Sequence, residues 1–85
     1  MTSRIADEAP IALALTDYDR AHLKLYLRLL DADEEGAAWD EVAKVLLEID
    51  PVAEPDRARR RHESHLARAR WMTEQGYLDI LKDGL

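Results

Sequence analysis

Trp39-Asp40-Glu41-Val42-Ala43-Lys44-Val45-Leu46-Leu47-Glu48-Ile49-Asp50-Pro51 is the stretch whose reading decides the fold. Trp39, Val42, Ala43, Leu46 and Leu47 recur at i, i+3, i+4, i+7 and i+8, which puts one apolar stripe on a helix over about residues 37–48. Asp40 and Glu41 fall in its first turn, where the helix dipole favours anions. Asp50-Pro51 ends it, because the residue before a proline is pushed out of the α region. Residues 49–54 then make a turn longer than the three or four residues usual in a helix-turn-helix. Pro55 suits the first position of a following helix, which runs to about Gln75.

Outward from this pair, Thr16 or Asp17 caps an earlier helix whose stripe is read as Leu23, Tyr26, Leu27 and Leu30. Leu25 and Leu29 lie off that stripe and widen the apolar face. The helix stops near residues 31–35, with Gly36 supplying turn geometry. The long helix after Pro55 has Ala58, His62, Leu66, Ala69, Met72 and Thr73 as its expected inner face. Tyr77, Ile80 and Leu81 extend the apolar spacing beyond Gly76 into a short closing helix. At the other end, Ile11, Leu13 and Leu15 alternate, as in an extended arm over the core or a segment that docks on a partner. The expected fold is all-α: one helix-turn-helix domain over residues 16–83 with an extended turn, three main helices, a short C-terminal helix and an arm over residues 1–15.

Charge divides the chain. Residues 1–56 hold fourteen acids against five bases, a net of −9, while residues 57–85 hold seven bases against four acids, a net of +3. A DNA reader draws much of its affinity from Lys and Arg that neutralise phosphates. Over most of its length this chain therefore has the scaffold of a DNA reader and the opposite sign. Arg57, Arg59, Arg60, Arg61, Arg68 and Arg70 all lie on the third main helix. They read either as phosphate and base contacts or as a solvated face paired with nearby acids.

Other chemistries find little support. There is no Cys, so disulfides, thiol nucleophiles and Cys-type zinc sites are excluded. His62 and His65 are three apart, but with His22 they lack the further ligands a metal site requires, and no metal or cofactor is expected. Ser3 and Ser64 sit in no nucleophile motif, and Gly36, Gly76 and Gly84 form no phosphate loop, so no enzyme is expected. The apolar stretch from Ala9 to Leu15 is far short of the ~20 residues that span a bilayer. Asp7 and Glu8 stand where a signal peptide would carry bases, so a cytoplasmic location is expected.

Gly36-Ala37-Ala38-Trp39-Asp40-Glu41-Val42-Ala43, His65-Leu66-Ala67-Arg68-Ala69-Arg70-Trp71-Met72 and Gly76-Tyr77-Leu78-Asp79-Ile80-Leu81 together resemble one proteobacterial family. It was long catalogued as a domain of unknown function and is encoded mostly on integrative and conjugative elements. The resemblance covers about residues 17–82 and implies an extended-turn helix-turn-helix. It also implies two kinds of member: activators that bind DNA through this domain, and lone acidic domains that act as antiactivators. Net charge −6 places the chain with the second kind. The implied partner is a transcriptional activator, gripped through its small non-DNA-binding domain, with no direct DNA binding, no membrane contact and a monomeric free state. The expected docking patch is Leu25, Leu29, Trp71 and Tyr77. The alternative is a DNA-binding regulator using Arg57, Arg59, Arg60 and Arg61, a cluster that departs from a uniformly negative surface.

Overall fold

In the computed structural model, residues 5–76 are described, and among them the ordered elements are all helices: α1 (Asp17–Ala21), α2 (Leu23–Glu34), α3 (Trp39–Val45) and α4 (Pro55–Glu74). The all-α single domain expected from periodicity is therefore what forms. The closing helix and Tyr77 lie outside the described residues.

Thr16 is the cap of α1. Its side chain accepts from the Asp19 N–H, and the Asp19 carboxylate accepts from the Thr16 N–H at 2.9 Å, a reciprocal capping box. The helix read as continuous from here is broken at His22, whose φ of −118° and ψ of 21° leave the α region. The His22 ring Nδ1–H donates to the Tyr18 carbonyl at 2.8 Å and so competes for an acceptor of the helix ladder. After the break α2 buries Tyr26 and Leu29, whereas Leu23, Leu27 and Leu30 are only partly covered. The stripe is thus rotated from the one expected. Leucines at 23, 25, 27, 29 and 30 leave periodicity nearly silent about phase, and the Tyr26 hydroxyl sets it by donating 2.7 Å to Asp19.

Gly36, at φ 76°, ends α2: its N–H bonds the Asp33 carbonyl and the Ala37 N–H reaches back to Ala32, a Schellman closure. α3 is shorter than expected. Beyond Val45 the chain turns through Leu46 and Leu47 to Glu48, at φ 55°, and the Ile49 N–H returns to the Ala43 carbonyl at 3.2 Å. The Asp50 carboxylate then accepts from the Val52 and Ala53 N–H groups, shaping the long turn into Pro55 at the start of α4.

α4 packs against both α2 and α3. Ala43, Ala58 and Ala69 are fully buried, which lets the backbones approach around Tyr26, Leu29, Val42, Leu47, Ile49, Leu66 and Met72. Ala58, Leu66, Ala69 and Met72 face inward as expected, but His62 is only half-buried and Thr73 sits at the surface. Arg61, His65 and Arg68 are buried in their place, because each finds polar partners inside. The arm, residues 5–15, runs alongside α4 in the same direction. Leu15 packs on the core, while Ile11 and Leu13 remain 93% and 90% exposed.

Candidate nucleic-acid interface

The six arginines of α4 divide by the face they occupy. Arg61 and Arg68 point inward. The Arg68 guanidinium donates to Asp19 at 2.7 Å and 3.1 Å and to the arm carbonyls of Ala12 and Ala14 at 2.6 Å and 3.0 Å. It also lies 4.0 Å from the centre of the Trp71 ring. Burial by itself raises the Asp19 carboxyl, but donors from Arg68, Thr16 and Tyr26 outweigh it and hold the group down at about 2. One ion pair thus ties α1, α2, α4 and the arm together. Arg61 donates 2.8 Å to the Leu47 carbonyl and 2.8 Å to Asp7, fastening the long turn to α4, while its buried Nε has no partner.

Histidines support the same packing. The His65 Nδ1–H donates to the Arg61 carbonyl at 2.7 Å, which leaves Nε2 to accept from the Tyr18 hydroxyl at 2.6 Å. Burial pushes the His65 ring below its ordinary range, so it is neutral. His22 stacks on Tyr18 at 4.0 Å, and His62 leans on Trp39 from the other flank of α4.

The other four arginines stay outside. Arg59, Arg60 and Arg70 lie on the outward stripe that also carries Glu63 and Ala67, and Arg57 flanks its start. Arg59 covers the Trp39 ring at 4.6 Å. Arg57 pairs with Glu54 and Asp7, both at 2.7 Å, Arg60 approaches Glu8 at 3.8 Å, and Arg70 pairs with Asp33 at 2.6 Å. Their side chains keep about half their surface in water, where such pairs are worth little and yield readily to a stronger anion. Of the arginines read as DNA contacts, Arg57, Arg59 and Arg60 are therefore available and Arg61 is not. Arg70, which the helix-wide reading also included, is exposed on the same stripe ten residues beyond Arg60.

Of the residues read as a docking patch, the described ones, Leu25, Leu29 and Trp71, do not share one surface. Leu29 is 1% exposed and contributes to the core rather than to a surface. Leu25 is half-buried in a groove with Ile5, Lys24, Arg28 and Leu46, whereas Trp71 lines a separate one with Pro10, Ile11, Leu13 and Ala67.

Residues 1–82 match the RovC_DNA-bd family, described as a T6SS transcription factor DNA-binding domain. The chain belongs to this family. No curated protein matches the chain. RovC_DNA-bd is a class of transcription factor domain and not of enzymes. The expectation of no direct DNA binding is corrected by this membership, which points to direct contact. That expectation rested on net charge, which averages over all faces. Binding depends on the charge of the face presented, and α4 presents arginine.

Proposed function

We propose that the chain is a DNA-binding domain of a transcriptional regulator, with α4 as the helix that meets the duplex. The observation that carries this reading is the outward row of Arg59, Arg60 and Arg70, with Arg57 flanking its start, on α4, the last helix of the α2, α3 and α4 trio. Such a helix enters the major groove with its N-terminal turns leading, while the preceding helix crosses the backbone. Arg59 and Arg60 sit in those turns and offer forked donors to phosphates or to guanine edges. The Arg59 guanidinium rests over Trp39, 4.6 Å from the ring centre, which limits that side chain's freedom. Asp56 and Glu63 on the same face weaken non-specific attraction and so favour a restricted set of sequences over any duplex.

The test is fluorescence anisotropy with DNA fragments from promoters flanking the gene, across a salt series. Binding whose affinity falls with salt, and falls further in the Arg59→Ala/Arg60→Ala variant, supports the reading. Salt-independent binding, or binding indifferent to both arginines, moves the contact off α4.

A second reading is favoured by one observation. Ile11 and Leu13 stand exposed beside half-buried Trp71, an apolar surface of the kind that takes a protein partner. On this reading the domain also controls a transcriptional activator by contact, as the antiactivators of the resembled family do. Ile11→Ser/Leu13→Ser would abolish co-purification with that activator while leaving the fold intact.

A further inference from the structure

The arm places carboxylates on the arginines assigned to DNA. Asp7 Oδ1 receives Arg57 Nε at 2.7 Å and Arg61 Nη2 at 2.8 Å, and Glu8 lies 3.8 Å from Arg60. Arg61 and Arg57 hold the Asp7 carboxyl below its usual range. Carboxylate and phosphate oxygens compete for the same guanidinium donors. From Ala9 onward the arm is anchored to α4 by its backbone. The Ala9 N–H donates to Ser64 at 3.1 Å, and Arg68 holds the Ala12 and Ala14 carbonyls. Before Ala9 the attachment differs: a half-exposed carboxylate on Asp7 and a largely exposed one on Glu8, the Ala6 N–H on the Tyr18 hydroxyl, and the partly buried Ile5. The boundary between the two regimes falls at Ala9-Pro10.

We propose that residues 5–8 are a built-in competitor for nucleic acid, in which Asp7 and Glu8 occupy Arg57 and Arg60 as DNA phosphates would. The proposal rests on the reading of α4 as the DNA-contacting helix. Binding then requires the segment to swing away while residues 9–15 stay fixed. The domain's affinity is set by an internal exchange of one anion for another. A duplex that offers phosphates at both arginines displaces the segment, and one that reaches a single arginine does not. Part of the discrimination between sites is thereby built into the arm.

The experiment compares the full chain with an Asp7→Asn/Glu8→Gln variant, by anisotropy on the same labelled duplex over a salt series. The amide introduced by Asp7→Asn keeps an acceptor oxygen for buried Arg61, and thermal unfolding by circular dichroism checks that the fold is retained. A Glu34→Gln/Glu35→Gln variant removes the same two charges from residues that make none of the ion pairs above. The expected result is binding about three- to tenfold tighter in the arm variant, with a salt slope steeper by about one to two phosphate contacts and no comparable gain in the matched control. Equal gains in both variants reduce the effect to net charge and overturn the proposal. Unchanged affinity in the arm variant, with the parent chain binding DNA, overturns it while leaving the α4 reading in place. No binding by any of the proteins removes the α4 reading and the proposal together.

Discussion

Arg68 and Arg60 stand two helical turns apart on α4 and have opposite uses. Arg68 is 4% exposed at its side chain, bound by a carboxylate and two backbone carbonyls, and replaces part of the core. Arg60 is 57% exposed, with one loose carboxylate for company. Residue type is the same and local sequence is similar. What separates them is whether the helix face turned to the interior supplies enough acceptors to repay desolvation. Asp19 makes that possible for Arg68. A buried ion pair is expensive to form and more expensive to break from one side.

The largest test of this contrast is Arg68→Ala, which leaves Asp19 buried without its cation. We expect a loss of about 3–5 kcal/mol in urea unfolding, enough to unfold a domain of this size or bring it close. A loss below about 1 kcal/mol would place Arg68 with the surface set. The same pair has an acid signature. Asp19 is depressed to about 2 in the folded state against 3.8 ordinarily, so the unfolded chain binds the proton first as pH falls. Its contribution is complete above pH ~4, worth about 2 kcal/mol, and is lost as pH falls from there through about 2. Asp19→Asn should flatten the stability profile in that window.

Arg61→Ala comes next, at about 2 kcal/mol, because it frees the buried Leu47 carbonyl and the cap of the long turn. Part of this is offset by losing the unpartnered Nε. Hydrogen exchange should show the change concentrated in residues 46–54, whereas Arg68→Ala should affect the whole domain.

Arg59→Ala and Arg60→Ala reverse the ratio. Arg60→Ala should change unfolding free energy by less than about 0.5 kcal/mol, and Arg59→Ala, which loses the contact with Trp39, by about 1 kcal/mol at most. Each should weaken DNA binding about tenfold, close to 1.4 kcal/mol. A stability loss comparable to that of Arg61→Ala would mean that the outward row is structural too.

How far this division is legible from sequence follows from the same physics. The helical pair at the centre is readable because Trp39, Val42, Ala43 and Leu47 obey one period and Asp50-Pro51 closes it. The phase of α2 is not, since leucines occupy too many of its positions for amphipathicity to choose among them, and Leu29 is consequently misplaced on a surface patch. The inward turn of Arg61, His65 and Arg68 is hidden for another reason. Periodicity treats a charged residue as polar wherever it falls, and the partners that admit Arg61 and Arg68 to the interior lie 14 to 56 residues away in the chain. The sign of the interface is hidden similarly. Net charge is a sum over the chain, but a helix face is a sample of it.

The smallest expected effect is a gain. Glu48 takes φ 55°, a left-handed conformation that a residue with a Cβ adopts at a cost of about 1 kcal/mol. It is held there from both sides: Arg61 fixes the carbonyl of Leu47 and the Ile49 N–H is bonded to Ala43. Gly36 and Gly76, two residues past the ends of α2 and α4, take the left-handed conformation at φ 76° and 79°, and Glu48 takes it three residues past the end of α3. Glu48→Gly should therefore stabilise the domain by about 0.5–1 kcal/mol in the same urea assay, the unfolded-state entropy of glycine removing part of the strain relieved. The side chain is exposed, so few contacts are lost with it. If the interior arginine is what enforces the strained turn, the gain should be larger in the parent chain than in Arg61→Ala. Once the Leu47 carbonyl is free, the turn can relax without a glycine. Equal gains in the two backgrounds would show that α3 and Ile49 alone impose the left-handed residue, and that Arg61 reads the turn rather than making it.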